Sequence, residues 1–114
     1  MRMWMVPPSL MCNQHLLGEH CEHHMFVGTL LRGTSIKGYI KNNLVEPISF
    51  WKRHDELVTE MLLRNMKHQS ILPTVDVMIY MHIRIDSLAS KNELMHRCPR
   101  CRERIEAHER RLTI

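Results

Sequence analysis

The apolar and polar positions between Leu10 and Arg32 follow a helical period, and only two glycines interrupt them. Ser9 precedes this stretch at the position of a helix N-cap, and Gly33 follows it at the position of a C-cap. Pro7 and Pro8 keep the preceding segment extended. The pattern predicts one long first helix after an extended N-terminal segment.

A second helical pattern begins at Pro47, a residue suited to the first turn of a helix, and its apolar positions recur as far as Met66. Residues 33–43 between the two patterns carry glycines, asparagines and two lysines without a sustained period, which predicts an exposed basic loop. Residues 71–85 are partly β-branched and contain Pro73, which indicates a short extended piece or an irregular connection.

A third helix is predicted from a cap at Asp86 or Ser87 to about Arg97, and "CPRC" interrupts it before a charged terminal helix. The fold class expected is mainly α, a compact single-domain bundle of about three helices with irregular connections. At 114 residues the chain is long enough for one core, so residues 1–114 are interpreted as one domain.

Charge and composition narrow the classes of function. Lys and Arg outnumber Asp and Glu by 16 to 12 and the pI is near 9.1, which suits a polyanionic partner. The sequence has no apolar run of membrane-spanning length and no signal-peptide pattern, so an intracellular protein without membrane contact is expected. The four cysteines are then interpreted as thiols or metal ligands rather than disulfides.

The segment "NQHLLGEHCEHH", residues 13–24, concentrates titratable groups on the first helix. A turn of about 100° per residue places His15, Glu19 and Glu22 in one narrow arc. One interpretation of this arc is a solvated charged face, and the other is a functional surface.

His20 and His24 lie four residues apart on the side of the helix that should face the core, where each imidazole needs a partner. Cys98 and Cys101 of "CPRC" form a Cys-x-x-Cys knuckle, and the four residues together complete a tetrahedral Cys2His2 set for structural zinc. The alternative is that both histidines bind backbone carbonyls and that "CPRC" is a turn with free thiols. Other available ligands are Cys12, Cys21, His96 and His108.

Taken together, "MRMW", "NQHLLGEHCEHHMFVG" and "KRHDELVTEMLLRNM" resemble the phage pyrimidine-dimer DNA glycosylase family, also called endonuclease V. The resemblance is specific over residues 1–28 and fair over residues 50–66. It implies a mostly helical DNA repair enzyme that needs no cofactor for its chemistry. It also implies excision of the damaged base by the α-amine of the mature N-terminus, aided by a glutamate of the first helix.

Carried over by the family pattern, Met1 supplies the α-amine and Glu22 the catalytic carboxylate, while Arg2, Gln14 and His15 contact DNA. An initiator methionine followed by a bulky arginine is expected to be retained. An α-amine suits this role because its ordinary pKa near 8 leaves roughly a tenth of it neutral at pH 7.

The sequence departs from the family pattern at two places, and both affect the predicted choice of lesion rather than the predicted reaction. Cys21 stands where the family has a DNA-contacting arginine, and the aromatic basic tail linked to lesion recognition has no counterpart in "ERRLTI". The resemblance therefore predicts glycosylase and lyase chemistry more directly than specificity for pyrimidine dimers.

Three functions follow from these observations. The leading hypothesis is a DNA glycosylase with abasic-site lyase activity, acting as a monomer on double-stranded DNA, with Arg32, Lys37 and Lys41 as further phosphate contacts. The second is a non-catalytic, zinc-stapled module that binds DNA or protein. A hydrolytic zinc enzyme built on His20, Glu22 and His24 ranks last, because Glu22 projects to the opposite side of the helix.

Overall fold

A computed structural model describes residues 1–113, and within them the chain is helical without strands. These described residues form five α-helices and three 3-10 turns, so the class is mainly α as predicted, with more helices than the expected three. The helices are α1 (Asn13–Leu31), α2 (Lys37–Lys41), α3 (Phe50–Leu63), α4 (Ser87–Arg97) and α5 (Pro99–Leu112). The 3-10 turns are Pro8–Leu10, Pro47–Ser49 and Met78–Tyr80.

The first helix confirms the long predicted element but begins later than expected. Ser9 lies in a 3-10 turn, and the N-cap position belongs to Cys12. At the other end Gly33 has φ 74° and donates its N–H to Leu30 O at 3.0 Å. Thr34 donates to Thr29 O at 3.0 Å, which completes a Schellman motif around the predicted C-terminal glycine.

The segment 33–43 is not only the loop that its composition predicts, because it contains α2. Ile36 is buried and precedes this helix, while Tyr39 packs edge-on against Phe26 with ring centroids 5.1 Å apart. These two apolar contacts hold the short helix against the core. Lys37 and Lys41 remain exposed on it.

The remaining predicted elements are confirmed. The second predicted helix is α3, which follows the turn that begins at Pro47, and the connection after it is irregular. Asp86 caps α4 by accepting from Ala89 N–H at 3.1 Å. Cys98 ends α4, and its Sγ accepts from Cys101 N–H to cap α5.

The extended N-terminal segment joins two apolar cores. Met3 is buried in the core that contains Phe26 and Phe50, whereas Trp4 is buried in the core that contains Leu16. Successive side chains of an extended chain point to opposite sides, which explains how neighbouring residues enter different cores. Met3 also donates its N–H to Leu44 O at 2.8 Å, so the start of the chain is fixed in place.

Within residues 1–113, none of the helices is long and apolar enough to cross a bilayer.

Candidate active site

The chain's first amino group lies beside the predicted catalytic carboxylate. The α-amine of Met1 is 3.8 Å from Glu22 Oε1, and both side chains are partly buried. Met3, two residues along, is held by the buried contacts of the N-terminal segment. The structure therefore brings together the two residues that the family pattern pairs.

These two groups open onto a cavity of about 410 Å³ between the N-terminal segment and α1. A cavity of this size falls in the range of small-molecule sites. Its lining is formed by Met1, Arg2, Trp4, Gln14, His15, Gly18, Glu19, Glu22, Leu44 and Arg97.

Burial raises the pKa of Glu22, and the positive α-amine of Met1 acts in the opposite direction. Glu19 on the same helix also raises the pKa of Glu22. A carboxyl with a raised pKa beside an amine is suited to exchange protons with a reacting group.

Glu19 is not part of a solvated face, although it contributes to the lining of the cavity. It is 1% exposed, and Arg53 of α3 donates to both of its oxygens, at 2.6 and 2.9 Å. A third donor of the same guanidinium reaches Val6 O at 2.7 Å. The interpretation of Glu19 as part of a solvated face is wrong because its partner comes from another helix, which a wheel of α1 alone does not reveal. Glu19 supports the site by fixing α1 against α3 and the N-terminal segment.

Two arginines give one wall of the cavity a positive character. The Arg2 guanidinium lies over the Trp4 ring at 3.9 Å and donates to Ser90 Oγ at 2.8 Å. The Arg97 guanidinium lies 5.4 Å from the same ring. Stacking on the indole ring holds a guanidinium group in place. Its N–H groups are then well placed to bind a phosphate group.

The structure divides the predicted DNA contacts into two groups. Gln14 and His15 line the cavity together with Arg2. Arg32, Lys37 and Lys41 are exposed but do not line it. A duplex that reaches the cavity would have to extend along the surface to touch this second group.

Four possible metal ligands meet where α1 begins and α4 ends. Cys12 Sγ lies 3.3 Å from His15 Nδ1 and 3.9 Å from Cys98 Sγ, and Cys101 Sγ accepts from Cys12 N–H at 3.2 Å. One ligand atom from each residue lies within 4.8 Å of the others. This set, Cys12, His15, Cys98 and Cys101, is called the cysteine cluster below. All its cysteines are buried free thiols.

Four histidines form a second group, in which one ring nitrogen of each residue lies within 4.8 Å of the others. This set, His20, His24, His54 and His68, is called the histidine cluster below. His24 Nε2 lies 3.2 Å from His54 Nε2. Burial, together with the neighbouring histidines, lowers the pKa of His20 to about 4, so its ring is neutral at pH 7.

The predicted zinc set of His20, His24, Cys98 and Cys101 is not formed. Its histidines belong to one cluster and its cysteines to the other. The cysteines are completed by Cys12, which was predicted only as an alternative ligand, and by His15, which was assigned to DNA. The histidines are completed by His54 and His68. The prediction joined a histidine pair and a cysteine pair because each pair is regularly spaced. Spacing along the sequence does not show which pairs lie together in the fold.

Arg53, His54, His68 and Trp4 were not predicted from the sequence, although a signal for the first two was present. Arg53 and His54 follow Phe50 by three and four residues and precede Leu57 by four and three, so they lie within the apolar stripe of α3. A charged residue in such a stripe indicates a buried partner. Trp4 lies in an extended segment, where no helical period marks it.

The family model for pyrimidine dimer DNA glycosylase matches residues 1–74. No curated protein and no solved structure is significantly similar to the chain. The matched region contains Met1, Glu22 and the whole histidine cluster, whereas Cys98 and Cys101 lie beyond it.

Proposed function

This chain belongs to the pyrimidine dimer DNA glycosylase family, and from that premise we propose that it is a DNA glycosylase with abasic-site lyase activity, using the α-amine of Met1 as nucleophile. The observation that carries the proposal is the 3.8 Å separation between that amine and Glu22 Oε1 at the edge of the cavity. The two groups are a nucleophile and a proton acceptor, the pair that this chemistry needs.

The proposed reaction begins when the neutral amine attacks the sugar C1′ of the damaged nucleotide. The bond from C1′ to the base breaks, its electron pair leaves with the base, and the base is protonated. Ring opening then leaves an imine between C1′ and Met1. The negative charge of Glu22 stabilises the cationic sugar during these steps.

Strand cleavage follows by β-elimination. Glu22 takes the proton from C2′, the C2′–C3′ double bond forms, and the 3′ phosphate leaves with the electrons of its C–O bond. Water hydrolyses the imine and restores the amine. These steps are carried by an amine and a carboxylate, so the proposal assigns no metal ion to the chemistry.

The cavity supports a nucleotide substrate. Chemistry on a base requires that the nucleotide or its partner leave the stacked duplex, and a volume of about 410 Å³ admits one such group. Arg2 and Arg97 line this cavity and are placed to bind the phosphates that flank it. We propose double-stranded DNA inside the cell as substrate, bound by one copy of the chain.

Borohydride reduction tests the nucleophile because it turns the imine into a stable amine bond between protein and DNA. After intact mass has established that Met1 is the first residue, abasic DNA is expected to be trapped on the Met1 peptide. Acetylation of the α-amine should abolish trapping. A crosslink that maps to a lysine, or trapping that survives acetylation, contradicts the proposal.

Glu22→Gln tests the carboxylate. The variant should bind abasic DNA nearly as the wild type does, yet lose strand cleavage, since the amide keeps the size but cannot hold the charge or take the proton. Glu56→Gln, at an exposed position of α3, is the matched control and should cleave normally. DNA binding without trapping or cleavage in the wild type would instead favour the non-catalytic binding module.

A further inference from the structure

We propose that the cysteine cluster binds a zinc ion that fastens the last two helices to the rest of the fold. Cys12 and His15 come from the start of α1, and Cys98 and Cys101 come from the junction of α4 and α5. The cluster is therefore formed from two parts of the chain that are distant in sequence.

The distances match a tetrahedral zinc site. With zinc to sulfur near 2.3 Å and zinc to nitrogen near 2.0 Å, two sulfurs lie about 3.8 Å apart, and sulfur and nitrogen about 3.5 Å apart. Cys12 Sγ lies 3.9 Å from Cys98 Sγ and 3.3 Å from His15 Nδ1. A disulfide would need sulfurs about 2.05 Å apart. The 3.9 Å between Cys12 Sγ and Cys98 Sγ is therefore too long for a disulfide.

Backbone N–H groups donate to two of the three sulfurs, as they do in a preorganised thiolate site. Cys12 N–H donates to Cys101 Sγ at 3.2 Å, and Cys101 N–H donates to Cys98 Sγ at 3.4 Å. Hydrogen bonds of this kind hold ligands in place and stabilise the thiolate form that a metal requires. Three thiolates and an imidazole favour zinc over hard cations.

The site has a consequence for the cavity, and this step rests on the proposed function. His15 ligates through Nδ1 and also lines the cavity. A ring bound to metal through Nδ1 carries its hydrogen on Nε2. The zinc ion would thus keep His15 as a fixed N–H donor beside the substrate.

The histidine cluster carries a second proposal on separate observations: the geometry points to a transition-metal ion held by four imidazoles. Five of its ring pairs have centroids between 4.8 and 5.2 Å apart. Rings bound tetrahedrally through Nε2 have centroids about 5.2 Å apart and nitrogens about 3.3 Å apart. The observed distance between His24 Nε2 and His54 Nε2 is 3.2 Å.

Two nitrogens of this cluster lack any other partner. His20 Nε2 and His68 Nε2 are buried and make no hydrogen bond with the described part of the chain. An unpaired buried polar atom destabilises the fold, and a shared ion would remove this cost. Asp55 Oδ1 lies 3.7 Å from His54 Nδ1, the ring nitrogen that does not face His24, and this distance is beyond that of a hydrogen bond.

Metal analysis of protein purified without added metal tests both sites. We expect about two equivalents, of which a mercurial thiol reagent releases one and leaves the other bound. Cobalt that binds the cysteine cluster of chelator-treated protein should give a thiolate charge-transfer band, and Cys101→Ser should remove this band. A total below about a tenth of an equivalent, with no cobalt binding, overturns both proposals.

Variants separate the two sites. Cys101→Ser should lose one equivalent, and His54→Gln should lose the other, while the exposed controls Cys21→Ser and His82→Gln keep both. If an equivalent remains after thiol modification and also remains in His54→Gln, the four-histidine site is wrong. If the thiol reagent releases no metal from folded wild-type protein, the cysteine site is wrong, whatever the variants do. Trapping at Met1 is measured separately, so its failure is distinguishable from failure of either metal site.

Discussion

Arg53 of α3 donates two charge-assisted hydrogen bonds to Glu19 of α1, at 2.6 and 2.9 Å, and both residues are almost fully buried. The remaining guanidinium donors reach Val6 O and Met11 Sδ. One side chain therefore joins the N-terminal segment, the turn before α1 and α1 itself. Met1 and Glu22 lie on two of these parts, so the buried pair helps to fix their relative position.

Removal of one partner from this pair should be costly. Glu19→Gln leaves a buried guanidinium without its counter-charge, and such changes destabilise proteins by about 3 to 5 kcal/mol. Urea unfolding measures the loss. Glu106→Gln, which removes an exposed ion pair within α5, should change stability by less than about 1 kcal/mol. Equal effects of the two substitutions would contradict the structural role of the buried pair.

The sequence predicted those features that depend on local pattern. Gly33 as the end of α1, Asp86 as the cap of α4 and the break at "CPRC" all follow from the demands of one helix end. Glu22 was placed by the family resemblance, and the structure pairs it with Met1.

The features that the sequence could not predict depend on contacts between elements. A helical wheel assigned Glu19 to the surface, since it contains no information on Arg53. In the same way His68, which follows α3 in irregular chain, could not be joined to His20 before the fold was known. Periodicity shows which residues share a face, and only tertiary packing shows what that face meets.

The pKa of the Glu22 carboxyl should depend on the charge of the nearby Met1 α-amine. Burial raises the pKa of this group and the Met1 charge opposes the rise, so acetylation of the α-amine should raise the Glu22 pKa further. Carbon NMR of the side-chain carboxyl measures it, and Glu22→Gln identifies the signal. A midpoint that acetylation leaves unchanged would show that the two groups do not interact, and a midpoint at or below the ordinary value of 4.5 would contradict the dominant effect of burial.

DNA affinity should decrease as salt is added, and α2 provides a local test. Each phosphate contact that is lost reduces the slope of log affinity against log salt by about one. The double substitution Lys37→Ala and Lys41→Ala should therefore reduce the slope by about two if both lysines bind phosphates. Arg110→Ala, at the exposed far end of α5, is the control. An unchanged slope in the double variant removes α2 from the DNA interface.

His23 should make the fold sensitive to acid. The ring is completely buried, its Nδ1–H donates to Glu19 O at 2.8 Å, and its Nε2 has no partner among residues 1–113. Burial lowers the pKa of His23 to about 4, although the nearby Glu19 acts in the opposite direction. A proton added at Nε2 would therefore be buried without an acceptor.

The sign of the effect follows from the two pKa values. Between the ordinary histidine value of 6.5 and the folded value of about 4, the unfolded chain binds more protons than the folded one. Stability is thus lost as the pH falls through this window, by about 1.4 kcal/mol for each pH unit and by about 3 kcal/mol in all. His23→Leu removes the titrating group, so its free energy of unfolding should fall less steeply with pH than that of the wild type.

Urea unfolding at several pH values between 7 and 4 gives both slopes. Chelator-treated protein should be used for each variant, because acid also protonates metal ligands and would add a second pH dependence. His82→Gln, at an exposed position, should keep the wild-type slope. Should His23→Leu show that same slope, the acid sensitivity would have to come from other groups, and the buried ring of His23 would be irrelevant to it.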